Sequence, residues 1–143
     1  MSESFRVSRA PIVAIVDDDE AVRDALCDLL VVLDFPCRAF PGAEEFMTEF
    51  IPGKFDCLIT DVTMPGRSGL ELCQHLSKLG SSMPVIFITA DASPSTRLRA
   101  ASCGAHAYLM KPVDGDELLG HLQSALGLRV LPDARTWRDH LDD

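Results

Sequence analysis

The chain has no apolar run approaching the roughly 20 residues that a bilayer-spanning helix needs, and its opening, MSESFRVSRAP, has no hydrophobic signal-peptide core. Neither membrane insertion nor export is expected, and the expected location is the cytoplasm. The five cysteines, Cys27, Cys37, Cys57, Cys73 and Cys103, are odd in number and contain no C-x-x-C pair, which suits a reducing compartment better than a disulfide framework. Four histidines, at positions 75, 106, 121 and 140, lack metal-ligand spacing. No cluster of Lys and Arg occurs. With a net charge of −9, direct nucleic-acid binding by this chain is disfavoured, because a phosphate backbone is captured by grouped cations. Surface acid also keeps a protein soluble, so the charge assigns no partner.

What is present is one domain's worth of chain. Its 143 residues are 47% apolar and 24% charged, the balance of a globular protein able to bury a single core. Periodicity alternates along it. Residues 12–16 form an apolar run of strand length, and 20–34 follow with Val22, Ala25, Leu26, Leu29, Leu30 and Leu33 on one helical stripe. A weaker strand at 36–40, a short helix at 43–50, a strand at 56–60 and a helix at 69–79 come next. Val85 to Thr89 is strongly β-prone, and Ser93-Pro94 opens a helix that Gly104 closes. A strand at 105–110 and a helix at 115–126 complete a (βα)5 series.

Strands that are apolar on both faces and alternate with helices imply a parallel sheet covered on both sides. In such doubly wound folds ligands bind beyond the carboxyl ends of the strands. The residues at those ends are Asp17, Asp18 and Asp19, then Asp61, then Thr89, then Lys111. Carboxylates gathered at one rim repel one another, and a hard divalent cation with oxygen ligands removes that repulsion. A pair of acids at a strand end can also serve as a helix N-cap. The third acid and the lysine argue for a site.

The order of Asp17-Asp18, Asp61 with MPGRSG behind it, Thr89-Ala90, and YLMKP at 108–112 strongly resembles the receiver domain of bacterial two-component response regulators. The resemblance covers residues 11–126, leaving an N-terminal extension at 1–10 and a C-terminal tail at 127–143. It implies a flavodoxin-like sheet of strand order 2-1-3-4-5. It also implies that Asp61 is the phosphoacceptor, receiving a phosphoryl group from a histidine kinase or a histidine phosphotransfer protein. Mg2+ (or Mn2+) would be held by Asp17, Asp18, Asp61 and the main-chain carbonyl of Thr63. Lys111, followed by a cis bond to Pro112, would pair with Asp61 and then with the phosphoryl oxygens. Thr89 and Tyr108 would be the coupled switch residues, and Thr63 and Asp91 would tune phosphate loss. Asp91 could do so by its charge or by orienting a hydrolytic water. Such a domain assists its own phosphorylation and dephosphorylation but is not otherwise an enzyme.

AIVDDDEAV also resembles the opening of haloacid-dehalogenase-type phosphatases, with Asp17 as nucleophile and Asp19 as general acid, but the late acidic pair is missing after the fourth strand. A flavin-binding module of this topology would need a Ser/Thr/Gly-rich loop where three acids stand. A non-phosphorylated pseudo-receiver usually lacks one of the key residues, all of which are kept here. Past Leu126 the tail is too short for an output domain, so none is expected within it. Asp133 could cap a short helix with Ala134, Trp137 and Leu141 on one side. Both a natural single-domain regulator and part of a longer one fit. The helix from Pro94 has a poor apolar stripe. Signal output, to a second copy of the chain or to another protein, is therefore expected through residues 94–126.

Overall fold

The computed structural model describes residues 11–127 apart from Pro65 and Ala92; the proposed tail helix at 133–141 and the extension at 1–10 lie outside them. Five strands and five helices alternate: β1 (Val13–Val16), α1 (Glu20–Val32), β2 (Cys37–Phe40), α2 (Ala43–Glu49), β3 (Cys57–Asp61), α3 (Gly69–Lys78), β4 (Val85–Thr89), α4 (Pro94–Ser102), β5 (Ala107–Met110) and α5 (Gly115–Ala125). All strand pairs are parallel and the order is β2-β1-β3-β4-β5, as expected. Among the described residues no helix is long and apolar enough to cross a membrane.

Alternation along the strands divides the core in two. Val13 and Ile15, Cys57 and Ile59, and Ile86 and Ile88 point to the face covered by α1 and α5, where they meet Leu26, Leu30, Leu118 and Leu122. Ala14, Val16, Leu58, Val85 and Phe87 point the other way, to Phe46 of α2, to Leu70, Leu72, Cys73 and Leu76 of α3, and to Ala100 of α4. β1, β3 and β4 are buried along their whole length. Their carboxyl ends are therefore held as rigidly as the fold allows.

Several boundaries differ from the sequence expectation for local reasons. β3 includes Asp61, which pairs with Ile88 in the ladder, so the acid belongs to the strand itself and not to the turn after it. α1 stops at Val32 because Asp34 adopts φ 71° and Phe35 returns its N–H to the Leu30 carbonyl at 2.8 Å, reversing the chain around a buried ring. β5 begins only at Ala107, since the Ala105 N–H closes α4 on the Ala100 carbonyl. The apolar stripe of α1 is wider than the sheet covers. Ala25 is exposed, and with Ala21, Val22 and Leu29 it lines a groove of about 440 Å³ that runs to Lys111, Pro112 and Val113.

Candidate functional site: an acidic rim with one lysine

Asp61 is fixed from both sides of its peptide. The Val62 N–H extends the ladder to the Ile88 carbonyl at 3.2 Å, and the Gly69 N–H returns to the Val62 carbonyl at 2.9 Å, so the turn after β3 closes on itself. α3 starts directly against the backbone of Asp61. A Cβ at Gly69 would overlap the Asp61 carbonyl oxygen, which the Thr60 hydroxyl also donates to at 3.0 Å. Ser68 caps α3 in a reciprocal capping box with Glu71, satisfying two otherwise orphaned N–H groups and setting the angle at which the helix leaves.

Three carboxylates and one ammonium meet at this rim. Lys111 Nζ donates to Asp61 Oδ2 at 2.8 Å and lies 3.0 Å from Asp17 Oδ2, while its own N–H is anchored to the Thr89 carbonyl at 2.8 Å. The Lys111–Pro112 bond is cis, as the resemblance implies. Asp61 Oδ1 accepts the Thr63 N–H at 3.2 Å. Asp17 is fully buried, and its Oδ1 accepts the Asp19 N–H at 2.9 Å. Burial pushes the Asp17 carboxyl above the usual range, against the pull of the Asp19 N–H and of Lys111. For Lys111, burial acts to lower the pKa, but its close contacts with the Asp61 and Asp17 carboxylates and their charges outweigh it and hold the ammonium above its ordinary value. The lysine is the resting counter-ion of the site.

The neutralisation is incomplete. Asp17 Oδ2 is buried and ion-paired with Lys111 at 3.0 Å, but it accepts no hydrogen bond. Its neighbours are oxygens of Asp18 and Asp61, all within 4.8 Å of one another. A buried carboxylate oxygen that accepts no hydrogen bond, set among other hard oxygen donors, fits a small divalent cation. Asp18 is exposed and free for that role because the helix cap is Asp19, whose carboxylate accepts from the N–H groups of Ala21 at 2.9 Å and Val22 at 3.4 Å.

Thr89 ends β4 almost fully buried, its hydroxyl oxygen accepting the Asp91 N–H at 2.9 Å. Tyr108, half-buried on β5, donates its hydroxyl to the Asp91 carbonyl at 3.0 Å, and the Arg97 guanidinium sits over its ring at 5.2 Å. Both residues therefore touch the backbone of one amino acid. The Asp91 side chain is turned away from the rim. It accepts from the Ser93 N–H at 2.9 Å and the Thr96 hydroxyl at 3.1 Å, bonds that hold its carboxyl below the usual range. Thr63 is exposed beside Asp61. Four features escaped the sequence reading: the close approach at Gly69, Asp19 as the cap, the hydrogen bonds of Asp91, and a 2.7 Å bond from Arg23 to the Asp17 carbonyl. Only the S-x-x-E pattern at 68–71 carried a local signal for any of this geometry.

Comparison with known proteins agrees with this arrangement. Residues 13–123 match the family model described as the response regulator receiver domain. The chain is 36% identical over 120 residues to the response regulator protein TodT of Pseudomonas putida, an alignment covering 84% of this chain and 53% of that protein. It is 34% identical over 142 residues to the transcriptional regulatory protein TdiR of Thauera aromatica, covering 98% and 63%. The chain thus spans about half to two thirds of the length of these relatives. Among solved structures, a response regulator receiver protein from Pseudoalteromonas atlantica superposes with a TM-score of 0.76 at 28% identity, covering 82% of this chain and 98% of that one. The phosphatase and flavin-binding readings of the first acids give way to this agreement of sequence, sheet order and rim. The chain belongs to the receiver-domain family of two-component response regulators.

Proposed function

We propose that this chain is a phosphoacceptor switch in which Asp61 takes a phosphoryl group from a phosphohistidine of a histidine kinase or histidine phosphotransfer protein. The observation that carries the reading is the Asp17–Lys111–Asp61 arrangement at the end of a fully buried strand, with one ion-paired carboxylate oxygen left without a hydrogen bond. A carboxylate oxygen of Asp61 attacks phosphorus, the P–N bond breaks, and its electron pair stays on the imidazole nitrogen. Phosphoryl transfer asks a protein for in-line positioning and for charge opposite the equatorial oxygens. β3 supplies the first, and Lys111, already at 2.8 Å from Asp61, supplies part of the second. Asp17, Asp18, Asp61 and the Thr63 carbonyl would hold Mg2+ or Mn2+, which when bound neutralises charge shared by carboxylate and phosphoryl oxygens.

The Thr89 hydroxyl would donate to a phosphoryl oxygen. Moving towards it stretches the bond from the Asp91 N–H, and the Asp91 carbonyl is also the acceptor for Tyr108. Phosphorylation at β3 is thereby linked to the aromatic side chain on β5 and to α4 between them. Output through residues 94–126, to a second copy or another protein, follows from that linkage. Asp91 affects the phosphate lifetime by holding this loop, since its carboxylate is bonded to Ser93 and Thr96. Thr63 borders the phosphoryl position. The groove along α1 ends at Lys111 and is flanked by exposed Glu20, Asp24 and Asp28, so it suits a donor helix with an apolar ridge and basic flanks.

Intact-mass spectrometry after incubation with Mg2+ and acetyl phosphate tests the assignment. One hydroxylamine-labile phosphoryl group is expected on the wild type and none on Asp61→Asn. No uptake by the wild type would make the chain a pseudo-receiver, and equal uptake by the variant would place the nucleophile elsewhere. Hydrogen exchange with and without the phosphoryl mimic beryllofluoride tests the output route, with changed protection expected across residues 94–126.

A further inference from the structure

The five cysteines are not equivalent, and the phosphorylation chemistry uses none of them. Cys57 is fully buried in β3, with its thiol pushed up to about 12 by burial. The Cys73 thiol donates to the Cys103 carbonyl at 3.4 Å. Cys27 and Cys37 are different: their sulfurs face each other at 3.4 Å, both half-buried and both reduced. Cys27 lies on α1 and Cys37 is the first residue of β2.

The short connection between the two is tightly fixed. α1 is capped at Leu33, Asp34 turns the chain at φ 71°, and buried Phe35 ties its N–H to the Leu30 carbonyl at 2.8 Å. Both cysteines pack against the core shared by α1 and α5. Helix, turn and strand thus hold the two side chains together, and rotation of the side chains brings sulfur towards sulfur without moving the backbone far. An arrangement of this kind gives one thiol a high effective concentration at the other, so a second intramolecular step outruns competition from thiols in solution.

We propose that Cys27 and Cys37 are a modification site, forming a reversible intramolecular disulfide by exchange with a small-molecule disulfide such as oxidised glutathione. The Cys27 thiolate attacks one glutathione sulfur, the glutathione S–S bond breaks, and one glutathione leaves as thiolate. The Cys37 thiolate then attacks the Cys27 sulfur of the mixed disulfide and expels the second glutathione. Two protein thiols have lost two protons and two electrons, and one glutathione disulfide has become two glutathiones. Burial, then the neighbouring Cys27, pushes the Cys37 thiol up to about 12, so it is almost wholly protonated at neutral pH. The bond therefore forms slowly, as a cumulative record of oxidation and not as a rapid sensor. Cys37 pairs in register with Val13 at the amino end of β1, whereas Asp17 and Asp61 stand at the carboxyl ends of their strands. The link ties α1 to the sheet at the rim opposite the acids and does not depend on their proposed role.

The sequence makes the test direct, because Arg23 and Arg38 place both cysteines in one tryptic peptide, residues 24–38, without an internal Lys or Arg. The full chain is incubated overnight at mildly alkaline pH with oxidised glutathione, unfolded in iodoacetamide, digested and weighed. Peptide 24–38 is expected to be lighter by two hydrogens, to carry neither alkyl group nor glutathione, and to accept two alkyl groups after reduction. The oxidised chain is expected to melt several degrees higher than the reduced one, and the rise should vanish in Cys37→Ala and in Cys27→Ala. Peptide 24–38 alkylated twice after oxidation, or retaining glutathione on Cys27, overturns the proposal. So does a cross-link from Cys27 or Cys37 to any other cysteine.

Discussion

α3 and α4 cover the same face of the sheet, are nearly equal in length and both start from a serine cap, yet they are held very differently. α3 buries Gly69, Leu70, Leu72, Cys73 and Leu76, whereas α4 buries Ala100 alone and leaves Leu98 68% exposed. Each fully buried leucine adds about 2 kcal/mol of apolar transfer free energy, so the two helices differ by several such contributions. α3 follows the strand of Asp61 and presses on its backbone. α4 follows the strand of Thr89 and is joined to it through Asp91. Chemistry needs a fixed carboxylate, and a switch needs an element that small forces can shift. The domain keeps one neighbour of β4 rigid and the other loosely packed.

The largest expected effect sharpens that contrast. Leu72→Ala in α3 should destabilise the domain by about 2–5 kcal/mol, while Leu98→Ala in α4 should stay within about 0.5 kcal/mol, both read by urea denaturation. Comparable losses would show that α4 is as firmly seated as α3. Next comes the point where α3 meets Asp61. Gly69→Ala forces a methyl group onto the Asp61 carbonyl, which should lower stability by about 1–3 kcal/mol and slow acetyl phosphate labelling beyond what the loss of folded protein explains. Unchanged labelling of the folded fraction would mean that the helix start does not position Asp61.

A third test separates the charged rim from both helices. Asp17 titrates above its ordinary value in the folded state, so the unfolded chain releases that proton first, and this group lowers stability as pH rises through the interval between the two values. Without metal, Asp17→Asn should therefore melt above the wild type at neutral pH, with the gap closing below pH 3.8. Lys111 has the opposite dependence. Its contribution is complete below pH 10.5 and is lost as pH rises through its raised folded value. An Asp17→Asn chain less stable than the wild type at neutral pH would show that Lys111 more than compensates for burial.

The smallest expected effect is local to the loose helix. Asp91→Ala removes the acceptor of the Ser93 N–H and the Thr96 hydroxyl, so amide exchange should quicken at residues 93–97 with little change in the melting temperature. The same variant should alter the phosphate lifetime. A change in lifetime without any change in exchange would favour direct action on a hydrolytic water.

The main features of the site could be read from the sequence because buried parallel strands leave little freedom where they end. Asp17, Asp61 and Thr89 stand at the carboxyl ends of runs buried along their whole length, whereas Lys111 follows β5, a partly buried edge strand, and is marked by the proline after it. Which acid caps α1 could not be read, since Asp18 and Asp19 differ by one position and only the turn of the backbone decides between them. Asp91 suggested a charge beside the phosphate. Its partners Ser93 and Thr96 are local, but only the turn of the backbone after β4 brings its carboxylate to them. The exclusion at Gly69 depends on a backbone oxygen eight residues away and has no signature in composition. Val22 and Leu29 looked like core and pack against it only in part, lining a groove together with exposed Ala25.

The strand order has a consequence for how a folding assay can be built. The rim's acids, hydroxyl and ammonium arrive on four strands, β1, β3, β4 and β5, and β3 occupies the middle of the sheet, with β1 on one side and β4 on the other. A chain that has paired only its first half carries Asp17 and Asp61 with no lysine between them, and one that has paired only its second half carries Lys111 opposite a single acid. Neither fragment assembles the full set. With Asp61 as the proposed phosphoacceptor, uptake of a labile phosphoryl group would count completely assembled molecules and serve as a chemical census of the native population.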